Sequence, residues 1–350
     1  MRKIAPPAFP VAKKLLLSLV SCLLALVAAE AAVRLFDLAP EVSIIQKGRF
    51  RLARNPKIGY EPVPALDYRG TSRSFWDYPG ASNKEGFRDR DHAVRKPRGV
   101  YRVVVLGDSI AAGLKVKHFR NTFPPRLERL LAEKGLTAEV ISLAVSGYNT
   151  QQEVELFRER GLRYEPDLVL VAYSLTDRER LDGDILKTLL EAEGRGGGVS
   201  RAHAHPLLVK SALYRALRYR VFAPPRPTEA KAAAATDEAL AQISGDTVAA
   251  SFAELAGLAA KHDFEVVVAV FPRLVRRFGR YLFGDQHEYV AALSRRHGFH
   301  HLDLLPPLAA CRAAAPEKPL GMDSYHPSPH GHACVAAAMA EVIAEEAKRP

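Results

Sequence analysis

At 350 residues, 48% hydrophobic and 25% charged, the chain has the make-up of an ordinary globular protein with length for one large or two small domains. Its formal net charge is +11, and part of the excess lies between Lys47 and Arg102, where basic residues outnumber acidic ones. No zinc-finger, helix-turn-helix or aromatic-basic pattern accompanies that charge, which argues against nucleic acid as a partner and for a solvated or membrane-facing basic surface.

Arg2, Lys3, Lys13 and Lys14 precede the apolar run Leu15 to Ala29. A positive flank of this kind predicts a cytoplasmic N-terminus, with the rest of the chain across a membrane. The apolar pattern resumes past Glu30 through Leu35 and Phe36, favouring an uncleaved signal anchor over residues 1–36. The competing reading is a signal peptide cut near Ala28 to Ala32, leaving a secreted protein.

Residues 37–100 scatter Gly, Pro and Arg around the single tryptophan, Trp76, with no sustained periodicity. They read as an irregular basic juxtamembrane segment. Within it Asn83 to Asp91 (NKEGFRDRD) reads as an ordered loop, with Phe87 and Arg88 in a structural pad over one edge of the domain that follows.

From Tyr101 strands and helices alternate. Short β-branched runs predict strands at Arg102–Leu106, Ala138–Leu143, Leu168–Ala172, Glu265–Phe271 and His300–Leu304. Helical patterns fall at about 122–134, 150–161, 248–262, 286–297 and 329–346. Near-continuous apolar strands alternating with helices predict an α/β fold: a flavodoxin-like three-layer α/β/α sandwich around a five-stranded parallel sheet, spanning 101–347. Roughly ninety residues separate the third and fourth strands, too many for one crossover, so an insertion is expected at about 178–246. It contains Glu193–Gly198 and Ala223–Glu238, both flexible in composition. Between them His205 to Phe222 reads as one basic helix with Leu213, Leu217 and Val221 in line. A packed cap is the expected role; a lid over the site or a contact with the membrane surface are the alternatives.

In an open parallel sheet, loops at the carboxyl ends of the strands gather on one edge and form the ligand crevice. Ser109 follows the first strand, Gly147 the second and Thr176 the third, while Asp323 and His326 lie between the fifth strand and the last helix. Ser109, at a strand-to-helix turn, is the candidate nucleophile, with helix N–H groups near its attack site. His326 is the candidate base, and Asp323, three residues earlier, the group that holds its tautomer. Ser328-Pro329 reads as an N-cap with proline at N1, which places His330 and His332 in the first helical turns as structural residues. His300, His301, His203 and His205 show no partner pattern. The three cysteines make no framework; Cys311 and Cys334 pair only if the fold brings them together, and Cys22 lies in the apolar N-terminal run. No metal-ligand spacing appears, so neither metal nor organic cofactor is expected.

The stretch VVVLGDSI, Val103 to Ile110, answered by MDSYHPSPHGH, Met322 to His332, resembles the SGNH (GDSL) hydrolase family, in its membrane-anchored bacterial form. The resemblance covers about 100–346 apart from most of the insertion. It implies a serine esterase that works through a Ser109 acyl-enzyme. It also implies an oxyanion hole of the Ser109 N–H, the Gly147 N–H and an asparagine side chain. Where the family has Gly-x-Asn-Asp, this chain has Ser174-Leu175-Thr176-Asp177, so Thr176 stands at the asparagine position. Loss of one oxyanion donor costs about 10²- to 10³-fold in rate. Asp177 reads as a cap or a salt-bridge partner. The expectation is therefore an extracytoplasmic ester hydrolase acting on an acylated glycan, lipid or small ester. Its alternatives are a catalytically weak binding or assembly protein of the same fold and an O-acyltransferase of envelope polysaccharide.

Overall fold

The computed structural model describes residues 11–36, 38, 50–64, 82–178, 185–186, 189–190, 211–217, 247–275, 278 and 281–348. The strands are β1 (Phe50–Leu52), β2 (Tyr60–Pro62), β3 (Tyr101–Gly107), β4 (Ala138–Ser142), β5 (Leu168–Ser174), β6 (Glu265–Phe271) and β7 (His300–Asp303). The helices are α1 (Val11–Leu35), α2 (Phe123–Glu133), α3 (Thr150–Leu156), α4 (Ala212–Ala216), α5 (Val248–His262), α6 (Gly284–His297), α7 (Leu305–Ala314) and α8 (Pro329–Glu346).

Five strands form one sheet in the order β4-β3-β5-β6-β7. All four pairings are parallel, with Val103 opposite both Val140 and Leu168, and Val267 opposite His300. This is the doubly wound order in which the chain reverses direction beside its first strand. Successive side chains on a strand face opposite ways, and both faces are apolar here. Val104, Leu106, Val169, Val171, Val268 and Val270 share a core with Val154 of α3, Phe252 and Leu255 of α5 and Val290 of α6. Val103, Val105, Leu168, Leu170, Val267 and Ala269 share another with Leu127 and Leu131 of α2, Leu308 of α7 and Val335 and Met339 of α8. Burying each such side chain contributes about 1.5–3 kcal/mol, so the β-branched runs must lie between helices.

One charge is buried among them. The Arg102 guanidinium of β3 donates to the carbonyls of Ala93 (2.6 Å), Val94 (2.8 Å) and Tyr164 (2.7 Å), and its Nε to Glu139 at 2.8 Å. Full hydrogen bonding makes that burial tolerable and staples the segment before β3 to the sheet. That segment is more ordered than its lack of periodicity suggests. β1 and β2 pair antiparallel, and Phe50, Ile58, Tyr60 and Phe87 join the core on the α3 side.

Two helical features differ from the sequence pattern. No helix is expected from that pattern at α7, which Leu305-Pro306-Pro307 opens with proline in the first turn, where a missing N–H costs nothing. The pattern over 150–161 splits into α3 and a wider π turn at Phe157–Gly161.

α1 is long and apolar enough to cross a membrane from Lys13 to Leu35, about 35 Å at 1.5 Å per residue. Glu30 near its end accepts from Ser211 Oγ (2.7 Å), Ala212 N (2.8 Å) and Leu213 N (2.7 Å), holding the start of α4. Of the helix expected over His205–Phe222 only this part is described; Glu193–Gly198 and Ala223–Glu238 lie outside the described residues.

Candidate active site

β3 ends in Gly107, where a Cβ would come within 2.5 Å of Ala111 Cβ; only glycine lets the chain fold back so sharply. Asp108 then takes the Ile110 N–H at 2.7 Å, and the chain runs through a series of turns that ends with positive φ at Gly113 and Lys115. These left-handed residues stop a helix from propagating, and α2 starts only at Phe123. Ser109 therefore sits in a turn and not at the helix N-terminus that the strand-to-helix pattern suggests. Arg88 holds this turn from outside, donating to Ala112 O (3.0 Å), Gly113 O (2.6 Å) and Val116 O (2.7 Å).

Asp323 and His326 come from a tight loop ahead of α8. Met322 N donates to His326 O (2.8 Å) and Ser328 N to Leu320 O (2.7 Å), which closes it into a short antiparallel bridge. Asp323 Oδ1 accepts the N–H groups of Tyr325 and His326, both at 2.8 Å; Asp323 Oδ2 accepts from Lys115 Nζ at 2.5 Å and lies 2.8 Å from His326 Nδ1. Burial opposes a charge on Asp323, but these donors outweigh it and hold its carboxyl at about 2. The other imidazole nitrogen, Nε2, lies 3.0 Å from Ser109 Oγ. Residues more than two hundred positions apart thus line up as hydroxyl, imidazole and ionised carboxylate.

Gly147 and Thr176 lie at the ends of the neighbouring strands. Gly147 has φ +81, and a Cβ there would lie 2.6 Å from Tyr60 Oη. Tyr60 Oη donates to Ser146 O at 2.9 Å and braces the loop from beneath. Asn149 caps α3 through a reciprocal bond pair with Gln152. The Thr176 hydroxyl lies 2.7 Å from Ser174 Oγ in the turn after β5. Asp177 makes no ion pair among the described residues. It is buried and accepts from Thr150 Oγ1 at 2.9 Å, pinning the β5 turn to α3.

Behind these loops lies a group no motif points to. Glu153 of α3 is buried, and neither of its carboxylate oxygens has a hydrogen-bond partner among the described residues. Burial, reinforced by the nearby Asp177 and Asp108 carboxyls, pushes its pKa well up. Asp177 shifts the same way, from burial and from Asp108. Asp108 is raised to about 6 by burial, with the Ile110 N–H and His326 opposing.

The remaining histidines serve elsewhere. His332 is wholly buried: its Nδ1 accepts the Phe123 N–H at 3.2 Å and its ring stacks on Phe123. Burial, with the positive field of Arg88 and Arg126, lowers it to about 3. His330 Nε2 lies 3.6 Å from Cys311 Sγ, beside a disulfide joining Cys311 to Cys334 across a Cα separation of 6.2 Å. His300 and His301 lie on β7, His300 against Glu346; His203 and His205 are outside the described residues. Lys115 and Tyr60 touch the site without any local signature in the sequence, and Arg88, read there as part of a structural pad, holds the turn of Ser109.

Comparison with known proteins bears on the whole of this region. None of the curated proteins matches the chain. Among solved structures, an acetyl xylan esterase, AlAXEase, is 16% identical with a TM-score of 0.42, over 69% of this chain and 99% of that one. A two-domain esterase active on acetylated mannans is 14% identical with a TM-score of 0.38, over 72% of this chain and 51% of that one. A GDSL-like lipase from Bacteroides thetaiotaomicron VPI-5482 is 14% identical with a TM-score of 0.35, over 70% and 88%. The model of the GDSL-like Lipase/Acylhydrolase family matches residues 105–334. That match runs from inside β3 to inside α8 and takes in Ser109, Gly147, Thr176, Asp323 and His326, and on it this chain belongs to the GDSL-like lipase/acylhydrolase family, the SGNH hydrolases.

Proposed function

We propose that the protein is a membrane-anchored, extracytoplasmic esterase that cleaves acyl esters through a covalent intermediate on Ser109. The observation that carries this reading is the 3.0 Å approach of Ser109 Oγ to His326 Nε2, with Asp323 2.8 Å behind the other ring nitrogen. A serine hydroxyl is too weak an acid to attack unaided. His326 takes its proton as Oγ adds to the acyl carbonyl, and returns it to the departing alcohol as the tetrahedral intermediate collapses. Water then repeats the sequence on the acyl-enzyme. Asp323 stays ionised throughout and stabilises the imidazolium. The developing oxyanion is met by the N–H groups of Ser109 and Gly147, neither of which has an acceptor among the described residues. Thr176 adds one hydroxyl donor if Ser174 donates to it, since its own proton is then free to face the site.

The placement outside the cytoplasm rests on α1 with its basic N-terminal flank and on the Cys311–Cys334 disulfide, which suits an oxidising compartment. Retention of the anchor is supported by Glu30, since cleavage near Ala28 to Ala32 would remove or free the group that holds α4.

One feature favours a second reading, a weak or binding-only site: Thr176 stands where the family carries asparagine. The full chain treated with a fluorophosphonate and read by intact mass separates the two. The esterase reading expects one adduct, lost in Ser109→Ala and His326→Ala, and a drop of about 10²-fold in ester turnover for Thr176→Ala. A folded protein that takes no adduct between pH 6 and 9 overturns it.

A further inference from the structure

Arg273 follows β6 on the edge where the site residues gather. In the sequence Arg276, Arg277 and Arg280 come after it, with no acidic residue before Asp285. Arg273 is the described member of that set, and its surroundings are built. Its guanidinium carbon lies 3.5 Å from the centre of the Tyr325 ring and 5.3 Å from that of Phe283. Tyr325 directly precedes His326, with 6.5 Å between the two ring centres. The next residue, Leu274, donates its N–H to Ser324 O at 2.8 Å, so the chain leaving β6 is tied to the loop that carries His326.

A second set of side chains fixes Arg273 from behind. Its backbone N–H donates to Tyr281 Oη at 3.0 Å; Tyr281 Oη lies 2.9 Å from His287 Nε2, and His287 Nδ1 2.9 Å from Asp303 Oδ1. No step of ester cleavage uses this tyrosine–histidine–aspartate chain. Yet among the described residues the Arg273 guanidinium has no carboxylate partner, and its buried Nη1 has no acceptor. A partly buried guanidinium without a counter-charge is costly unless an anion completes it. Stacking on Tyr325 engages a face of the guanidinium and not its in-plane N–H groups, the part that forks onto a carboxylate. Arg273 also reaches the site through Tyr325, on the side of His326, and His326 is the group that hands a proton to the departing alcohol.

We propose that Arg273 recognises a carboxylate on the alcohol portion of the substrate, which makes the natural ester an acylated acidic alcohol such as an acylated uronic acid. This rests on the esterase reading above. The test uses the full chain in detergent with two small esters of the same acyl group and ring, 4-acetoxybenzoate and its neutral methyl ester. The native protein should prefer the carboxylate by about 10-fold or more in kcat/KM, chiefly through KM. Arg273→Gln should lower that preference by about 10- to 100-fold, and Arg273→Lys should restore part of it. Equal losses on both esters in Arg273→Gln, or no native preference, overturn the proposal. So does a native preference for 4-acetoxyphenyl phosphate over the carboxylate. Binding of 4-acetoxybenzoate to Ser109→Ala, followed by calorimetry, needs no turnover. Weaker binding in Ser109→Ala/Arg273→Gln supports the anion site even if the chemistry at Ser109 fails, and equal binding sinks it.

Discussion

Two groups of carboxylates meet near Ser109 in opposite condition. In the loop of His326, the proposed base, each oxygen of Asp323 has donors: two backbone N–H groups on one, an imidazole and an ammonium on the other. Beneath the neighbouring loops, among the described residues, Glu153 has no partner for either oxygen and Asp177 has one hydroxyl for two. The first carboxyl is held at about 2, while the others are pushed up. Donor supply and solvent access, not residue type, decide which acid carries charge. A proton-accepting relay needs the ionised kind; a dry floor under a turn needs the neutral kind.

The sharpest way to break that contrast is to remove the charge from the base loop. Asp323→Asn keeps the shape but supplies an N–H where His326 needs an acceptor, and kcat for a simple acetyl ester should fall by about 10⁴-fold with little change in KM. A loss under tenfold would mean that Asp323 does not orient the base.

The base loop is also the segment that the Cys311–Cys334 disulfide closes, since 23 positions separate the cysteines and Asp323 and His326 lie between them. A closure of this length restrains the unfolded chain by about 3 kcal/mol. Reduction, or Cys311→Ser with Cys334→Ser, should lower the melting temperature by about 6–12 °C. An unchanged melting temperature would show that the bridge adds nothing.

The carboxyl floor has its own signature in pH. Glu153 and Asp177 have folded pKa values raised above their ordinary values of 4.5 and 3.8. Their contribution to stability is full below those ordinary values and is lost as pH rises through the raised ones. The melting temperature should therefore decline from about pH 5 toward pH 8. Glu153→Gln, which stays neutral, should flatten the slope and raise the pH 8 value by about 5 °C; a steeper slope would reverse the assignment. His332, lowered from 6.5 to about 3, acts on the other flank: its contribution is present above 6.5 and lost as pH falls toward 3.

The smallest effect belongs to Lys115, whose pairing with Asp323 is half exposed to water and therefore weakened. Lys115→Met should lower kcat by about three- to tenfold and leave the melting temperature within a degree or two. A loss as large as that of Asp323→Asn would make the ammonium, and not the backbone donors, the main support of the carboxylate.

Much of the site was legible because its chemistry is carried by types at short spacing. Asp323 and His326 share one turn, Ser328 caps α8 with Pro329 behind it, and the loops at strand ends must converge once the sheet is parallel. His332 was legible as structural for the same local reason, its place in the first turns of α8. Ser109 was placed in the right loop but in the wrong local structure, because nothing in Gly-Asp-Ser announces the left-handed residues at Gly113 and Lys115.

By itself the sequence determined which runs are buried strands, their alternation with helices, and the residues that meet as hydroxyl, imidazole and carboxylate. Periodicity and short-range capping are properties of a chain segment, and they survive without its neighbours. Only the tertiary structure decided that Lys115 reaches Asp323 across 208 positions, that Tyr60 of an early strand fills the space a side chain at Gly147 would need, and that Arg88 holds the turn of Ser109. It also decided that one acid is held ionised while three are pushed toward the neutral form. Burial and donor supply are set by what packs around a group, and here those neighbours come from the far ends of the chain.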